Sequence, residues 1–266
     1  MTAPAPIACP PAPGRDGDGG LVLAERFKER ANRCTDRREL QLLLEEATLE
    51  LGFQYFALLH HRTVRPGSDR LIRIDNYPKA WEQELLASHD VALDPVHLAS
   101  LRANAGFGWD ELGDMLSLGS GQRRILERSR HHGLGPGFTI PANVPGEPSG
   151  SCSFAVGPDC ALPSRQLTSA ELIGAQAFAA ARRIYGFVRI APLPRLSPRE
   201  RQCLGLVAAG KTDWEIAAIL GIAVETARQY VKRARAAYDV VSRAQLVACG
   251  LRDSLISFDQ AIPPAG

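Results

Sequence analysis

Apolar positions recur along this chain first at helical spacing, then at strand spacing, then at helical spacing again. Residues 21–33 have helical periodicity. Residues 37–51 put Leu40, Leu43, Leu44, Ala47 and Leu51 on one stripe, at steps of three and four. Gly52 ends that helix. Residues 53–61 crowd aromatic and aliphatic side chains together and predict a strand. Arg65-Pro66-Gly67-Ser68-Asp69 predicts a turn, and residues 71–74 a short returning strand. Helices follow at 79–89, at Asp94-Pro95, where Asp caps and Pro stands behind it, and at 119–132. Residues 137–143 and 151–156 predict two more strands across a Pro/Gly loop. Residues 168–189 predict a long Ala-rich helix, capped by Thr168 with Glu171 three residues on.

Helices, then hairpin-like strands, then helices imply an α+β fold, an α/β/α sandwich around a central antiparallel sheet. Pro192 and Pro194 interrupt the pattern, and beyond them the chain is helical throughout. The expected organisation is a Pro/Ala/Gly-rich disordered tail at 1–20, a sensor-like domain at 21–186 and a linker at 187–195. An all-α domain at 196–256 and a tail at 257–266 complete it.

The all-α part is the most informative. Ser197, Pro198 and Glu200 form a capping box ahead of the apolar Leu204, Leu206 and Val207, and Gly210 closes that helix. A second helix, about 213–220, has Ile216, Ala217, Ile219 and Leu220 as its apolar side. A third, about 224–238, sets Ala227, Val231, Ala234 and Tyr238 on one stripe. Gly221 between them supplies a left-handed turn, and small Ala217 permits close approach. Ser242 begins a fourth capped helix. Arg228, Gln229, Lys232, Arg233 and Arg235 occupy the other faces of the third helix, with no acid between Thr226 and Tyr238. A charge run is usually a solvated face, but four capped short helices in this order make a four-helix helix-turn-helix domain.

These residues resemble the DNA-binding domain of LuxR-type regulators. Leu196, Ser197, Arg199, Glu200, Leu204, Gly210, Lys211, Thr212, Glu215, Ile216, Ala217, Leu220, Thr226 and Arg243 fall on its signature in register. Ala227, Tyr230 and Ala236-Ala237-Tyr238 depart from it. The resemblance implies double-stranded DNA as partner, with Thr226, Arg228, Gln229, Lys232 and Arg233 at the DNA and Lys211 and Thr212 at phosphates. It implies a homodimer on a palindromic operator, and leaves RNA polymerase open as a further partner.

Length and charge fit this division. The 266 residues suffice for two modest domains. From Arg195 onward 10 basic residues meet 7 acidic ones, against 21 and 22 before it, so the basic excess lies in the DNA-reading part. The six cysteines form no CxxC pair and are expected to be reduced thiols. The N-terminus lacks the basic start and apolar run of a signal peptide, and no stretch approaches the roughly 18 apolar residues of a membrane span. A soluble, cytoplasmic protein with no membrane partner is expected.

Spacing alone makes residues 21–186 a globular domain and reveals no ligand. The run from Asn76 to Leu112 resembles the N-acyl-homoserine lactone-binding domain of LuxR-type quorum-sensing receptors. Tyr77, Trp81, Asp94, Pro95 and Trp109 occur in the family's order, with 13 residues from Trp81 to Asp94 and 15 from Asp94 to Trp109. The resemblance implies a small-molecule autoinducer and no cofactor. Trp81, a donor-only indole, would meet the lactone carbonyl. Asp94 would accept from the amide N–H, Tyr77 and Ser153 would serve the amide carbonyl, and Trp109 would wall the lactone ring. Phe56, Leu58 and Phe138 are candidates for the acyl-tail wall. Each has a plainer reading: core aromatics for the tryptophans, a helix cap for Asp94, a satisfied hydroxyl for Ser153. Their joint spacing favours the ligand. Leu85 stands where the family commonly has a second Tyr, which leaves open a differently substituted, foreign or non-lactone ligand.

Other chemistry finds little support. His60-His61 and His131-His132 are adjacent pairs, unsuited to chelation, so no metal site is expected. The glycines at 133–137 do not open a helix after a strand. Asp94, His97 and Ser153 have the composition of a triad without a nucleophile elbow, so no catalytic residue is assigned and a lactone-hydrolysing enzyme is disfavoured. A phosphorylation receiver would need an alternating βα series that the pattern lacks.

Overall fold

A computed structural model describes Cys9 and residues 17–61, 71–87, 92–187 and 194–262. The chain divides into two compact units, Met1–Arg189 and Ile190–Gly266.

The first unit is built on a five-stranded antiparallel sheet in the order β2-β1-β5-β4-β3. Its strands are β1 (Tyr55–His60), β2 (Arg73–Asp75), β3 (Phe107–Gly108), β4 (Gly137–Ala142) and β5 (Gly150–Ala155). The helices are α1 (Gly17–Arg33), α2 (Arg37–Glu50), α3 (Lys79–Ala87), α4 (Pro95–Ser100), α5 (Leu112–Met115), α6 (Ser120–His131) and α7 (Leu167–Ile184). Phe56, Leu58, Phe138, Ile140, Cys152 and Phe154 point from one face of the sheet into the main core. There they meet Phe27 of α1, Leu40 and Leu44 of α2, and Ile173 and Ala177 of α7. Each fully buried Leu or Phe contributes about 1.5–3 kcal/mol over its exposed state. Asp36 starts α2 by accepting from Glu39 N–H at 2.9 Å.

The alternate residues point to the other face, as a period of two requires. Ala57 of β1, Ser153 of β5 and Thr139 of β4 lie side by side across three strands. Tyr55 and Ala155 pack there with Trp81 of α3 and Ile125 of α6, and α4 also lies against β4 and β5. Helices therefore cover both faces, as an α/β/α sandwich.

Several local expectations need correction. The helix expected from residue 21 starts at Gly17, inside the expected tail, while residues 1–8 and 10–16 lie outside the described residues. The expected turn at 65–69, residues 88 and 89 of the expected helix, and most of the linker also lie outside them. Thr168 does not cap α7. The helix follows a 3-10 turn at Ser164–Gln166, with Gln166 as its cap residue. Glu171 instead accepts from Gly106 N–H at 2.7 Å, fastening the approach to β3, a strand too short to be seen in the sequence. Cys9 and Cys160 form a disulfide with Cα atoms 5.6 Å apart, so the reduced-thiol expectation fails for this pair. They stand 151 residues apart, and only the fold brings them together. Cys34, Cys152 and Cys203 are buried thiols.

The second unit contains α8 (Pro198–Ala208), α9 (Asp213–Leu220), α10 (Val224–Ala237), α11 (Arg243–Arg252) and a final turn, α12 (Phe258–Ala261), inside the expected C-terminal tail. Ser197–Glu200, Thr212–Glu215 and Ser242–Gln245 form capping boxes at α8, α9 and α11. Gly221 takes φ 64° and ψ 39°, the left-handed conformation expected between α9 and α10, and its N–H bonds Ala217 O. Ile216, Ala217, Ala227, Val231, Ala234 and Leu204 make the core. Ile219, expected on the apolar side of α9, is 54% exposed.

Candidate functional site

The second face of the sheet forms the floor of a small cavity. Tyr77, Trp81, Asp94, Trp109 and Ser153, the residues implied by the family resemblance, all line it. Two apolar sides complete it: Ala57 and Leu59 from β1, and Ile125, Leu126 and Leu134 from α6 and the segment after it. A mostly apolar hollow with a few converging polar groups is the usual form of a small-molecule site.

Each polar group is held by its neighbours. Trp109 Nε1 donates to Thr139 Oγ1 at 2.8 Å, and Thr139 Oγ1 shares a 2.8 Å bond with Ser153 Oγ. Ser153 in turn bonds the Tyr77 phenol. One hydroxyl chain thus fixes the Trp109 ring, Ser153 and Tyr77. Gly137 permits the arrangement, because a Cβ there would stand 2.5 Å from Trp109 Cε2. Burial, with the Asp94 and Asp75 charges next, pushes the Tyr77 phenol far above its ordinary range and keeps it a neutral donor.

Asp94 is both a cap and a wall residue. It is 8% exposed; Oδ1 accepts from Val96 N–H at 2.9 Å, and Oδ2 lies 3.9 Å from His97 Nε2. Trp81 is 4% exposed on α3. That helix is latched to α6 by Glu84, whose carboxylate accepts from Arg128 Nε and pairs with His132 Nε2. The His132 and Arg128 bonds, in that order, hold the Glu84 carboxyl below its ordinary value. Ser153 Oγ is committed to Thr139 and Tyr77, so the triad composition noted in the sequence is not assembled as one. His60 and His61 face apart: His60 packs edge-on against Phe178 in the main core, while His61 stacks on His97. Among the described residues no group of three metal-ligating side chains occurs.

The expected acyl-tail wall needs correction. Phe56, Leu58 and Phe138 belong to the main core on the opposite face. A one-residue change of parity separates them from Ala57, Leu59 and Thr139, which face the cavity side. Leu85 packs into the cluster of Trp81, Tyr55 and Ile125.

In the second unit Thr226, Arg228, Gln229, Lys232 and Arg233 are all exposed on α10. Glu225 holds two of them, pairing with Arg228 Nη1 at 2.7 Å and accepting from Gln229 Nε2 at 3.0 Å. Arg228 is 59% exposed, and such a solvent-screened surface pair contributes little, so it exchanges readily for another anion. Thr212 caps α9, and Lys211 Nζ lies 3.7 Å from Glu215. Arg235 has a different task, donating to Val241 O at 2.6 Å beyond the end of α10. Arg243 bonds Asp213 at 2.7 Å and Lys211 O at 2.5 Å, tying α11 to the start of α9.

Residues 36–184 match the autoinducer binding domain, and residues 194–249 match the bacterial regulatory proteins of the luxR family. The chain belongs to the LuxR family. Similar to this LuxR-family chain is the transcriptional activator protein AhyR of Aeromonas hydrophila. It is 27% identical over 243 residues, covering 86% of this chain and 90% of that protein. The transcriptional activator protein TraR of Rhizobium radiobacter is 26% identical over 212 residues, covering 77% and 86%. The crystal structure of Escherichia coli SdiA shares the fold, with a TM-score of 0.60 at 24% identity, covering 89% of this chain and 99% of that one. SdiA in complex with octanoyl-rac-glycerol gives a TM-score of 0.59 at 23% identity, covering 90% and 97%. The relatives are quorum-sensing transcriptional regulators, a family not known as enzymes, and the LuxR-family assignment gives this chain an autoinducer-binding and a DNA-binding part. No helix among the described residues is long and apolar enough to cross a membrane.

Reasoning from residue types weighed His97 only as a triad member and missed Thr139 altogether. Thr139 is fully buried behind Trp109 and Ser153, to which it is bonded, and His97 lines the cavity beside Asp94. The alternation of β4 held a signal for Thr139: a hydroxyl between Phe138 and Ile140, directly opposite Ser153 in the ladder.

Proposed function

We propose that the cavity binds an N-acyl homoserine lactone, and that its occupancy governs how a homodimer meets duplex DNA at an inverted repeat. The observation that carries this reading is the convergence of Tyr77, Trp81, Asp94, Trp109 and Ser153 on one cavity, with Thr139 bonded between two of them. Trp81 donates to the lactone carbonyl. The Asp94 carboxylate takes the amide N–H in a charge-assisted bond. Tyr77 and Ser153 serve the amide carbonyl, and the fixed Trp109 ring walls the lactone. Ala57 and Leu59, rather than Phe56 and Leu58, lie along the acyl chain.

Ligand that binds the folded form stabilises it by mass action. In the dimer two α10 helices stand about 34 Å apart, one turn of DNA, in successive major grooves. Thr226, Arg228, Gln229, Lys232 and Arg233 meet the DNA, with Lys211 and Thr212 at phosphates; RNA polymerase is the natural further partner. Such a regulator works in the cytoplasm, where a disulfide like Cys9–Cys160 is ordinarily transient or redox-sensing.

The test is a thermal-shift screen of the full chain against homoserine lactones of graded acyl length, with octanoyl glycerol as a comparison. A ligand at 100 times its Kd adds about 2.7 kcal/mol, or roughly 5–10 °C for a unit of this size. Trp81→Phe and Asp94→Ala should shrink that shift. A shift that survives both substitutions, or one given only by the acyl glycerol, would contradict the lactone reading.

A further inference from the structure

Of the six cysteines, Cys9 and Cys160 are joined and the other four are free. The joined pair is uneven. Cys9 is exposed, whereas Cys160 is 8% exposed and packs with the main core. A small thiol in solution can therefore approach the bridge from the Cys9 side. Burial, the largest cause for each, raises the Cys34, Cys152 and Cys203 thiols above their ordinary value, which keeps them protonated and inert. Thiol exchange in the sensor unit is thus confined to Cys9 and Cys160.

The bridge fastens the chain ahead of α1 to the turn that follows β5, the middle strand of the sheet. Cys160 N–H donates to Gly157 O at 3.1 Å, and Gly157 N–H donates to Gln54 Oε1. Gly135 N–H donates to Val156 O at 2.7 Å, and Val156 N–H to Pro136 O at 2.9 Å. The two segments lie so close that a Cβ on Gly135 would stand 2.2 Å from Gly157 O. Leu134, one residue earlier, lines the cavity. The Cys160 turn and the cavity wall therefore share one hydrogen-bonded seam.

We propose that the Cys9–Cys160 bridge is a reversible redox switch on the sensor unit, opened by glutathione-class thiols and reclosed by their disulfides, which loosens or tightens the seam behind Leu134. Opening takes two exchanges. A glutathione thiolate attacks the Cys9 sulfur, a mixed disulfide forms there, and Cys160 leaves as a thiolate that takes a proton. A second glutathione thiolate attacks the glutathione sulfur of the mixed disulfide. Glutathione disulfide is released, and Cys9 leaves as a thiolate that is protonated in turn. The protein gains two electrons and two protons while two glutathiones are oxidised; closure is the reverse, with glutathione disulfide as oxidant. The cross-link spans 151 residues, so its loss frees the unfolded chain more than loss of a short loop would. The reduced sensor unit is accordingly the less stable form.

The experiment equilibrates the full chain, without ligand, in glutathione mixtures running from the cytosolic poise to an oxidising one. The Cys9–Cys160 cross-link is quantified by peptide mass spectrometry after thiol alkylation, melting is followed by tryptophan fluorescence, and amide exchange is read by mass. The cross-link should be present in the oxidising mixture, absent at the cytosolic poise, and restored when the mixture is changed back. The reduced form should melt roughly 4–16 °C lower, and the amides of Gly135 and Val156 should exchange faster in it. Cys9→Ser should match the reduced parent in both mixtures, as should Cys160→Ser. Should Cys160→Ser fail to fold, Cys9→Ser, at an exposed position, decides. A cross-link that never forms, one that persists at the cytosolic poise, or a Cys9→Ser protein that melts with the oxidised parent overturns the switch. Equal exchange of Gly135 and Val156 in the two forms overturns its hold on the cavity wall.

Discussion

Thr139→Val replaces a hydroxyl by a methyl of the same shape at a fully buried position. Two bonds of 2.8 Å disappear, one from Trp109 Nε1 and one with Ser153 Oγ. Ser153 still has the Tyr77 phenol, but the Trp109 indole N–H loses its acceptor. Leaving one such donor unmet costs about 1–3 kcal/mol. For a unit of 150–250 residues each kcal/mol moves Tm by about 2–4 °C, so a fall of about 4–8 °C is expected at the midpoint of that range. Tryptophan fluorescence during heating can follow it, because Trp81 and Trp109 lie in the first unit while Trp214 is 69% exposed in the second. Thr139→Ser keeps the hydroxyl and is the control, expected to retain the indole environment of the parent. A Thr139→Val protein that melts with the parent, or a Thr139→Ser protein that loses as much as Thr139→Val, would refute the hydroxyl chain as the element that fixes Trp109.

Three further outcomes follow from the same geometry. Gly137→Ala places a Cβ against the Trp109 ring, so overpacking should cost about 1–3 kcal/mol and the ligand-induced thermal shift should fall sharply; an unchanged shift would mean the ring does not wall the ligand. Ala223 begins α10 with no side-chain cap, and Ala223→Ser should raise the stability of the DNA-binding unit by about 1 kcal/mol in urea unfolding, whereas no gain would argue against Ala223 as the cap position of α10. Burial, the largest cause for both, holds His60 and His61 below the ordinary imidazole value. The unfolded chain then binds more protons below about pH 6.5, so stability should be full above that pH and decline as pH falls toward the folded values. Urea midpoints at pH 7.5 and 5.5 check this, and an equal or higher midpoint at pH 5.5 would contradict it.

The DNA-binding unit was readable in the sequence because its determinants are local. Ser197–Glu200, Thr212–Glu215 and Ser242–Gln245 each announce a helix start within four residues, and Gly221 marks a turn that only its own backbone need satisfy. The sensor unit was readable only as to class. Trp81, Asp94 and Trp109 stood out by family spacing, but which residues face the cavity depends on strand parity, and Phe56, Leu58 and Phe138 fell on the wrong side of it. Thr139 acquires its role from a neighbour in register on another strand, and His97 from a stack with His61, 36 positions earlier. The Cys9–Cys160 bridge is likewise a product of tertiary structure. Ile219 obeys helical periodicity yet is exposed, since a short helix carries more apolar positions than its neighbours can cover.

Asp94→Asn tests the central claim most directly. Asparagine still caps α4 at Val96 but loses the charge that would hold a ligand amide, so the unliganded protein should melt close to the parent. Calorimetric titration of a homoserine lactone that binds the parent should then show affinity weaker by about 1.5–3 kcal/mol, or roughly 10–150-fold. Equal affinity of the two proteins for that lactone would contradict a site organised around the Asp94 carboxylate.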